Sequence, residues 1–396
     1  MNSLGKKNSK SESLMLNILA KVPGNIYLTI LICTIIITSS QKTLAQSPSN
    51  SKEKEASTFR YKDAADFEVL GLLSGNTLYS RLPPEAQNEV RPAVWSLSKH
   101  SSGIAIRFTS NSSTIKIRWT LKNNRVKDNM TPIAGNGLDL YAYTKGRWQF
   151  VGVAIPGKEL VNEATVIADM TKESREFLLN LPLYEGVVKL EIGIETNATI
   201  SKPKQAIINQ DRPVIFYGTS ITQGASASRP GLTYAALLER KINKEVINLG
   251  FSGNGRFEKE VVQYIMPSNP SVIILDCTPN SAPDTILTNL PETLAYIQSV
   301  NDSVPIVLVE SIVRDYAYFK ENDPSTFGTF PYIQAQNDAL KKVYLDNQNK
   351  NIHYVSNKDL IGNDNEATVD GTHFNDLGNY RMYQFLLPII EKLLNP

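Results

Sequence analysis

Hydrophobic and polar positions alternate along the first part of the chain, over residues 59–204. Ile115, Ile117 and Trp119 are separated by charged residues, and residues 188–194 repeat the pattern. A period of two places the apolar side chains of a strand on one face, as in half-buried strands. Several such strands joined by polar turns predict a β-sandwich domain over this part of the chain.

The pattern changes after Pro203, where fully apolar runs alternate with amphipathic stretches. Strands buried on both faces give such runs, and helices that cover a sheet give the amphipathic pattern. The alternation predicts a three-layer α/β/α domain with a parallel sheet over residues 205–396. The predicted strands lie at 214–217, 246–249, 272–275, 306–309 and 352–355, and the predicted helices at 234–242, 258–265, 290–297, 335–345 and 380–394.

The N-terminus carries a different signal. Lysines precede an apolar stretch over residues 26–37, and the small residues Thr43 and Ala45 follow it. The stretch is shorter than the roughly 20 residues that span a bilayer, so it predicts a cleaved signal peptide over residues 1–45, with an uncleaved anchor as the alternative. Residues 46–58 are polar without periodicity, which predicts a linker. We therefore expect a secreted or periplasmic protein.

Composition and charge exclude several kinds of partner. The 396 residues are 41% hydrophobic and 20% charged, as in ordinary globular proteins. Without the first 45 residues, which hold five Lys and one Glu, 36 basic and 38 acidic residues remain. A near-neutral chain lacks the positive field that attracts nucleic acids. We expect no nucleic-acid partner and no membrane span in the mature chain.

Cysteine and histidine are scarce in this sequence. Beyond the predicted signal peptide Cys277 is the only cysteine, so no internal disulfide can form there, and the whole chain has three histidines. This supply of ligands is small for a zinc or iron site. We expect no metal and no cofactor.

A glycine-rich segment directly after the first predicted parallel strand is the first candidate for chemistry. It reads Gly-Thr-Ser-Ile-Thr-Gln-Gly over residues 218–224. A serine on a strand-to-helix turn lies at the carboxyl edge of the sheet, where open α/β folds bind ligands. The spacing differs from the Gly-x-Ser-x-Gly elbow, because Thr222 occupies the last place. Ser220 is therefore a candidate nucleophile, or it only caps the following helix or binds a phosphate there.

A serine nucleophile needs a base, and the base needs an orienting group. We expect His100 to be exposed, beside Lys and Ser, and His353 to be a structural ring inside a predicted strand. His373 follows Asp370 by three residues in a turn-like segment before the last helix. At that spacing the carboxylate can reach the imidazole and fix its tautomer. The alternative is an aspartate that caps the helix beside an incidental histidine.

These residues resemble a family, the SGNH or GDSL-like hydrolases, in which Ser, Gly, Asn and His come from separate blocks in that order. Residues 218–221 look like the serine block, and residues 370–373 look like the Asp-x-x-His block. Residues 248–254 resemble the glycine block, and residues 276–280 resemble the asparagine block. The last block departs from the family at Thr278, where the family commonly has Gly.

The resemblance implies a serine esterase with a catalytic triad of Ser220, His373 and Asp370. It also implies an oxyanion hole made of the Ser220 N–H, the Gly253 N–H and the Asn280 side-chain amide. Donors of this kind stabilise the negative charge that develops on a carbonyl oxygen. As an alternative, Gly253 and Asn280 only form tight turns.

A second resemblance lies in the β-rich part. Residues 137–141, Gly-Leu-Asp-Leu-Tyr, resemble the Gly-x-Asp-Leu-Tyr signature of a β-rich domain that precedes a subset of SGNH hydrolases. In a strand, Asp139 is more often a structural hydrogen-bonding residue than a ligand contact. Trp95, Trp119 and Trp148 either pack in the core or contact the partner domain or sugar rings.

The resemblance thus implies an exported serine esterase that hydrolyses O-acyl, chiefly O-acetyl, esters of carbohydrates. Export, the additional β-domain and the lack of a membrane-binding stretch in the mature chain favour soluble glycan esters over lipids. Two alternatives stay open, a lipase or phospholipid acyl hydrolase and an inactive glycan-binding protein. We also expect the β-domain to pack against the catalytic domain near its active face.

Overall fold

A computed structural model describes residues 58–76, 78–347 and 349–395 of the chain. The predicted signal peptide and the predicted linker up to residue 57 lie outside the described residues. In the described part, no helix is both long and apolar enough to cross a membrane.

The first part of the described chain is rich in antiparallel strands. Its strands are β1 (Phe59–Asp63), β2 (Glu68–Leu70), β3 (Ala105–Ser110), β4 (Ile115–Leu121), β5 (Leu138–Thr144), β6 (Arg147–Ala154), β7 (Val161–Ile167), β8 (Arg175–Asn180), β9 (Val187–Glu195) and β10 (Ile200–Ser201). Two short helices interrupt them, α1 (Pro92–Leu97) and α2 (Pro132–Asn136).

These strands form two sheets that face each other. One has the order β1-β9-β4-β7, and the other has the order β10-β3-β8-β5-β6, with β2 beside β3. Inward-facing residues of both sheets, such as Phe108, Trp119, Leu140 and Ile192, form one buried cluster. This arrangement confirms the β-rich N-terminal part predicted from the period-two pattern.

The second part alternates strands and helices. Its strands are β11 (Asn209–Gly218), β12 (Lys244–Gly250), β13 (Val272–Asp276), β14 (Ile306–Val309) and β15 (Ile352–Val355). Its α-helices are α3 (Ser220–Gln223), α4 (Tyr234–Ile242), α5 (Lys259–Ile265), α6 (Pro283–Val300), α7 (Phe330–Asp346) and α8 (Asp376–Leu394). Short 3₁₀ turns occur at Ala64–Asp66, Pro84–Asn88, Pro230–Leu232, Met266–Ser268, Thr278–Asn280 and Ala317–Phe319.

The five later strands form one parallel sheet in the order β12-β11-β13-β14-β15. Alternate residues of β11 face opposite sides, with Ile215 and Tyr217 in one buried cluster and Val214 and Phe216 in another. Residues of α5, α6 and α7 belong to the first cluster, and residues of α4 and α8 belong to the second. The predicted three-layer α/β/α architecture is confirmed.

The strand order reverses direction at β11, since β12 lies on one side of it and all later strands lie on the other. Open sheets bind ligands outside the carboxyl ends of the strands at such a switch point. Residues 218–224 follow β11 directly, so the candidate serine block lies at this position.

Buried contacts join the β-rich part to the α/β part, through the segment that follows α3. Asp139, which is fully buried, accepts hydrogen bonds from the Arg229 guanidinium at 2.6 Å, from the Gly231 N–H at 2.9 Å and from Asn180 at 2.7 Å. The aspartate of the Gly-x-Asp-Leu-Tyr signature therefore has a structural role between the two parts. The division of the chain at residue 204 stays a prediction.

Candidate active site

Ser220 is the first residue of α3, a one-turn helix that starts after β11. Thr219 caps this helix, because its Oγ1 accepts the Ile221 N–H and its own N–H donates to Thr222 Oγ1, both at 3.2 Å. The helix ends at Gly224, whose φ of 100° lies in the left-handed region that favours glycine. Since Thr219 takes the capping role, the Ser220 hydroxyl is left for another partner.

That partner is the imidazole of His373, which lies in the turn-like segment before α8. The Ser220 Oγ is 2.8 Å from His373 Nε2, and His373 Nδ1 is 2.7 Å from Asp370 Oδ2. An ionised carboxylate only accepts hydrogen bonds, so Nδ1 carries the proton and Nε2 is free to accept one from the serine. The structure thus brings these three predicted residues into one hydrogen-bonded line.

The Asp370 carboxylate is fixed by more than the imidazole. Its Oδ1 accepts the N–H groups of Thr372 at 3.1 Å and His373 at 2.8 Å. Burial raises the pKa of Asp370, but the hydrogen bonds from the His373 backbone and ring and from Asn129 outweigh that effect and hold the pKa below its usual value. The carboxylate therefore stays ionised across the neutral range.

The glycine and asparagine blocks follow the two strands that flank β11. Gly218 pairs with Gly250 of β12 and with Asp276 of β13, so all three blocks leave the sheet at the same level. Gly253 has a φ of 70°, and space beside its Cα is open. Within the described residues, neither its N–H nor that of Ser220 has a hydrogen-bond partner.

Asn280 ends the 3₁₀ turn that follows β13. Its Oδ1 is buried without a hydrogen-bond partner among the described residues. A buried polar atom left unpaired in this way costs free energy. Thr278, the departure from the family pattern, is buried and donates its hydroxyl to the Val309 carbonyl at 2.6 Å. The threonine thereby ties the asparagine block to the end of β14.

Sequence reasoning missed Asn129, which lies in the loop between β4 and α2. Its Nδ2 is 3.0 Å from Asp370 Oδ2. The residue comes from the β-rich part, more than two hundred positions before the aspartate, in a polar loop that matches no motif. No local signal in the sequence could have identified it.

Sequence reasoning also missed Gln223, the last residue of the helix that carries Ser220. Gln223 of α3 donates from Nε2 to the Leu183 carbonyl and to His100 Nδ1, both at 3.0 Å, and its Oε1 accepts the Ser252 N–H at 3.0 Å. The position of Gln223 inside the glycine-rich segment 218–224, directly after the serine block, was a usable signal. The amide links the serine block to the glycine block and to the β-rich part.

The expected exposure of His100 was wrong. Its ring is largely buried, lies 5.9 Å from the Tyr184 ring and accepts the Gln223 amide. Burial, followed by the positive charge of Arg81, lowers the pKa of His100 to about 3, so the ring is neutral at ordinary pH. His100 supports the helix that carries Ser220 and does not contact the serine hydroxyl. His353 lies half-buried in β15, as expected.

Tyr184 also comes from the β-rich part and is buried. Its hydroxyl is 3.4 Å from the Ser220 carbonyl oxygen, and burial raises its pKa. In the described part of the chain, no group of three or more His, Cys, Asp or Glu side chains could hold a metal ion.

The chain matches two family descriptions. Residues 211–391 match the GDSL-like lipase/acylhydrolase family, and residues 59–200 match GxDLY, the N-terminus of esterases of the SGNH-hydrolase type. The search of curated proteins found no match.

Solved structures are similar to this chain as well. A candidate GDSL-like lipase from Bacteroides ovatus is 35% identical with a TM-score of 0.79, over 85% of this chain and 98% of that chain. A salicylyl-acyltransferase from a tetracycline biosynthetic pathway is 18% identical with a TM-score of 0.69, over the same shares of the two chains. A family two carbohydrate esterase from Cellvibrio japonicus is 10% identical with a TM-score of 0.53, again over 85% and 98%.

The two more distant likenesses show the fold alone. The first solved structure, at 35% identity over 85% of the chain, shows the family as well as the fold. Both family matches agree with it and together extend from residue 59 to residue 391. The chain therefore belongs to the GDSL-like, or SGNH, hydrolases, in the subset with an N-terminal GxDLY domain.

Proposed function

We propose that this chain is an exported serine esterase that removes O-acyl groups, chiefly O-acetyl, from carbohydrates. Membership of the GDSL-like hydrolases supplies the reaction class, carboxylic ester hydrolysis. The observation that carries the catalytic assignment is the pair of hydrogen bonds that runs from Ser220 through His373 to Asp370, at 2.8 and 2.7 Å.

In the acylation step, the Ser220 oxygen attacks the ester carbonyl carbon while His373 Nε2 takes the hydroxyl proton. The Asp370 carboxylate holds the ring orientation and stabilises the imidazolium. The negative charge on the carbonyl oxygen is met by the N–H groups of Ser220 and Gly253 and by the Asn280 amide. Collapse of the tetrahedral intermediate then expels the sugar alkoxide, which takes the proton from Nε2.

In the deacylation step, the acyl group is bound to Ser220 and a water molecule takes the place of the alcohol. His373 Nε2 accepts a proton from the water as its oxygen attacks the acyl carbon. Collapse returns that proton to the Ser220 oxygen and releases the carboxylic acid. The products are free acetate and the unacylated sugar.

The carbohydrate assignment rests on the surroundings of the triad and on the comparisons. The loop after β14 reaches the Asp-x-x-His block, where the Tyr316 hydroxyl is 3.3 Å from Thr372 Oγ1. Tyr318, Phe319 and Phe327 in this loop are exposed by 67%, 90% and 52%. Exposed flat rings on a loop that contacts the Asp-x-x-His block suit the apolar faces of sugar rings. The carbohydrate esterase from Cellvibrio japonicus has the same fold over 85% of this chain.

Aromatic residues of the β-rich part are not included in the proposed sugar site. Trp119 and Trp148 are buried, and Trp95 packs against the apolar cluster under the parallel sheet. These rings contribute to packing, so the proposal places the sugar on the loop after β14.

The test is a hydrolysis panel of acetylated oligosaccharides, short-chain acyl esters and long-chain acyl esters. The wild-type protein should release acetate fastest from the oligosaccharides, and Ser220→Ala should lower kcat by roughly 10⁴-fold or more. Ser98→Ala, at a buried serine of the β-rich part, is the control and should keep full activity.

Retention of substantial activity by Ser220→Ala would show that another residue is the nucleophile. Preference for long-chain esters would favour the lipase alternative, and hydrolysis of no ester in the panel would favour the glycan-binding one.

A further inference from the structure

The Asn129 side-chain amide lies beside Asp370 Oδ2, the carboxylate oxygen that also accepts the His373 ring N–H. Its Nδ2 is 3.0 Å from Asp370 Oδ2 and 3.3 Å from His373 Nδ1. Since Nδ1 donates its own proton to Asp370, the ring nitrogen has no lone pair to offer and the amide N–H is directed to the carboxylate. The reverse amide orientation would set two acceptor oxygens against each other.

Three consecutive residues fix this amide in place. The Asn129 carbonyl accepts the Ser226 hydroxyl at 2.9 Å. Met130 is buried in a small apolar cluster that includes Ala225 and Ala227. The Thr131 hydroxyl donates to the Ser228 carbonyl at 2.6 Å and accepts the Ala134 N–H at 3.0 Å. Ala225, Ser226, Ala227 and Ser228, which these three residues contact, lie in the segment that directly follows the helix carrying Ser220.

The triad carboxylate needs such support because it is not deeply buried. The Asp370 side chain is 36% exposed, and the His373 side chain is 23% exposed. A carboxylate open to water on one side can hydrate and turn away from the imidazole. The two backbone N–H groups hold Oδ1, and the Asn129 amide is the second protein donor to Oδ2, beside the imidazole.

We propose that Asn129 is a positioning residue of the triad, supplied by the β-rich part to hold Asp370 in register with His373. The inference deepens the proposed function and rests on its assignment of the triad. It gives the β-rich part a role in catalysis itself, through residues 129–131, besides any contact with substrate.

Two substitutions test the amide in different ways. Asn129→Ala removes the donor, so Asp370 loses a hydrogen bond to a charged group, and kcat should fall roughly 10- to 100-fold with little change in KM. Asn129→Asp keeps the shape but places a second carboxylate against Asp370. The added negative charge favours the imidazolium, so the acid limb of the kcat–pH profile should move upward by about one pH unit.

Asn123→Ala is the matched control from the same loop. Its amide donates to Glu185 at 3.3 Å, so it should change neither kcat nor the pH profile. Thermal unfolding of all three variants checks that the comparison is between folded proteins. If Asn129→Ala has normal kcat and Asn129→Asp has a normal pH profile, the proposal is wrong.

A rise in KM alone for Asn129→Ala would also overturn the proposal, because it would make Asn129 a substrate contact. These outcomes for the Asn129 variants can be distinguished from an error in the proposed triad. If the triad were wrong, Ser220→Ala would remain active, whatever the Asn129 variants do.

Discussion

The β-rich part and the α/β part contribute to the candidate site in different ways. The α/β part supplies Ser220, Gly253 and Asn280 directly after three adjacent parallel strands, in short blocks that sequence alone reveals. The β-rich part supplies Asn129 and Tyr184 from loops without any motif. Residues placed by the ends of strands can be predicted from the strand pattern, whereas residues placed by packing between two parts of a chain cannot.

The two parts are also joined by buried contacts away from the triad. Arg81 is buried and donates to the carbonyl oxygens of Asn248 and Gly250 at the end of β12. Gly103 lies against Asn248, where a Cβ would come within 2.4 Å of the Asn248 Cβ, and its φ of 78° also favours glycine. Deletion of the β-rich part would expose this surface and destabilise the α/β part. Point substitutions therefore distinguish the contribution of the β-rich part to stability from its contribution to catalysis better than a deletion does.

The largest expected effect on stability is at Asp139, the buried anchor between the parts. Asp139→Asn keeps the size of the side chain but removes the charge opposite Arg229, and its N–H₂ must face either Arg229 and Gly231 or the Asn180 amide, all of which donate to Asp139 in the wild type. Breaking a buried ion pair from one side should lower the free energy of unfolding by about 3–5 kcal/mol. Urea denaturation measures this loss.

Glu163→Gln is the control for the Asp139 substitution. Glu163 pairs with Arg118 on the outer face of the sandwich, with both side chains about two-fifths exposed, at 41% and 38%. An exposed pair contributes less than about 1 kcal/mol. Equal losses for the two variants would show that the Asp139 contacts do not hold the two parts together.

The second largest effect is expected at Asn280, in the α/β part. Asn280→Ala removes the amide assigned to the oxyanion hole, which should cost roughly 3 kcal/mol of transition-state stabilisation and appear in kcat. Asn289→Ala, at an exposed amide of α6 that donates to the Arg256 carbonyl, should leave kcat unchanged. Steady-state kinetics on an acetyl ester provide the comparison, and a normal kcat for Asn280→Ala would remove Asn280 from the oxyanion hole.

The fold was predictable because its patterns are long and regular. Two of the predicted parallel strands, 306–309 and 352–355, and the helix at 234–242 have the bounds found in the structure. The predicted helices at 290–297 and 335–345 start later than α6 and α7, whose first turns hold Pro283 and Pro331. Tertiary packing also tolerates Pro291 within α6.

The candidate site also contains residues that the sequence indicates and residues that it does not. Ser220, His373 and Asp370 are hydrogen-bonded to one another, and their place at strand ends and their spacing made them candidates in the sequence; their catalytic roles stay a prediction. The position of His100 could not be foreseen, since its burial depends on Tyr184 and Gln223, residues distant in the sequence. Its polar neighbours in the sequence indicated exposure instead.

The smallest predicted effect concerns Glu245, at the junction of the two parts. Its carboxyl accepts the Gly71 N–H at 2.7 Å, and burial raises its pKa from the usual 4.5 to about 7. Between these two values the folded state holds a proton that the unfolded state has lost, so Glu245 makes the protein less stable as the pH rises through this window.

Glu245→Gln keeps an acceptor for Gly71 and cannot ionise. Relative to the wild type, the variant should therefore gain stability on the order of 2 kcal/mol between pH 5 and pH 8. Urea denaturation at both values measures the gain, and Glu292→Gln, whose parent side chain is 68% exposed, should show none. A gain that does not grow with pH would mean that Glu245 is already ionised in the folded protein, and that the junction tolerates a buried charge opposite the Gly71 backbone.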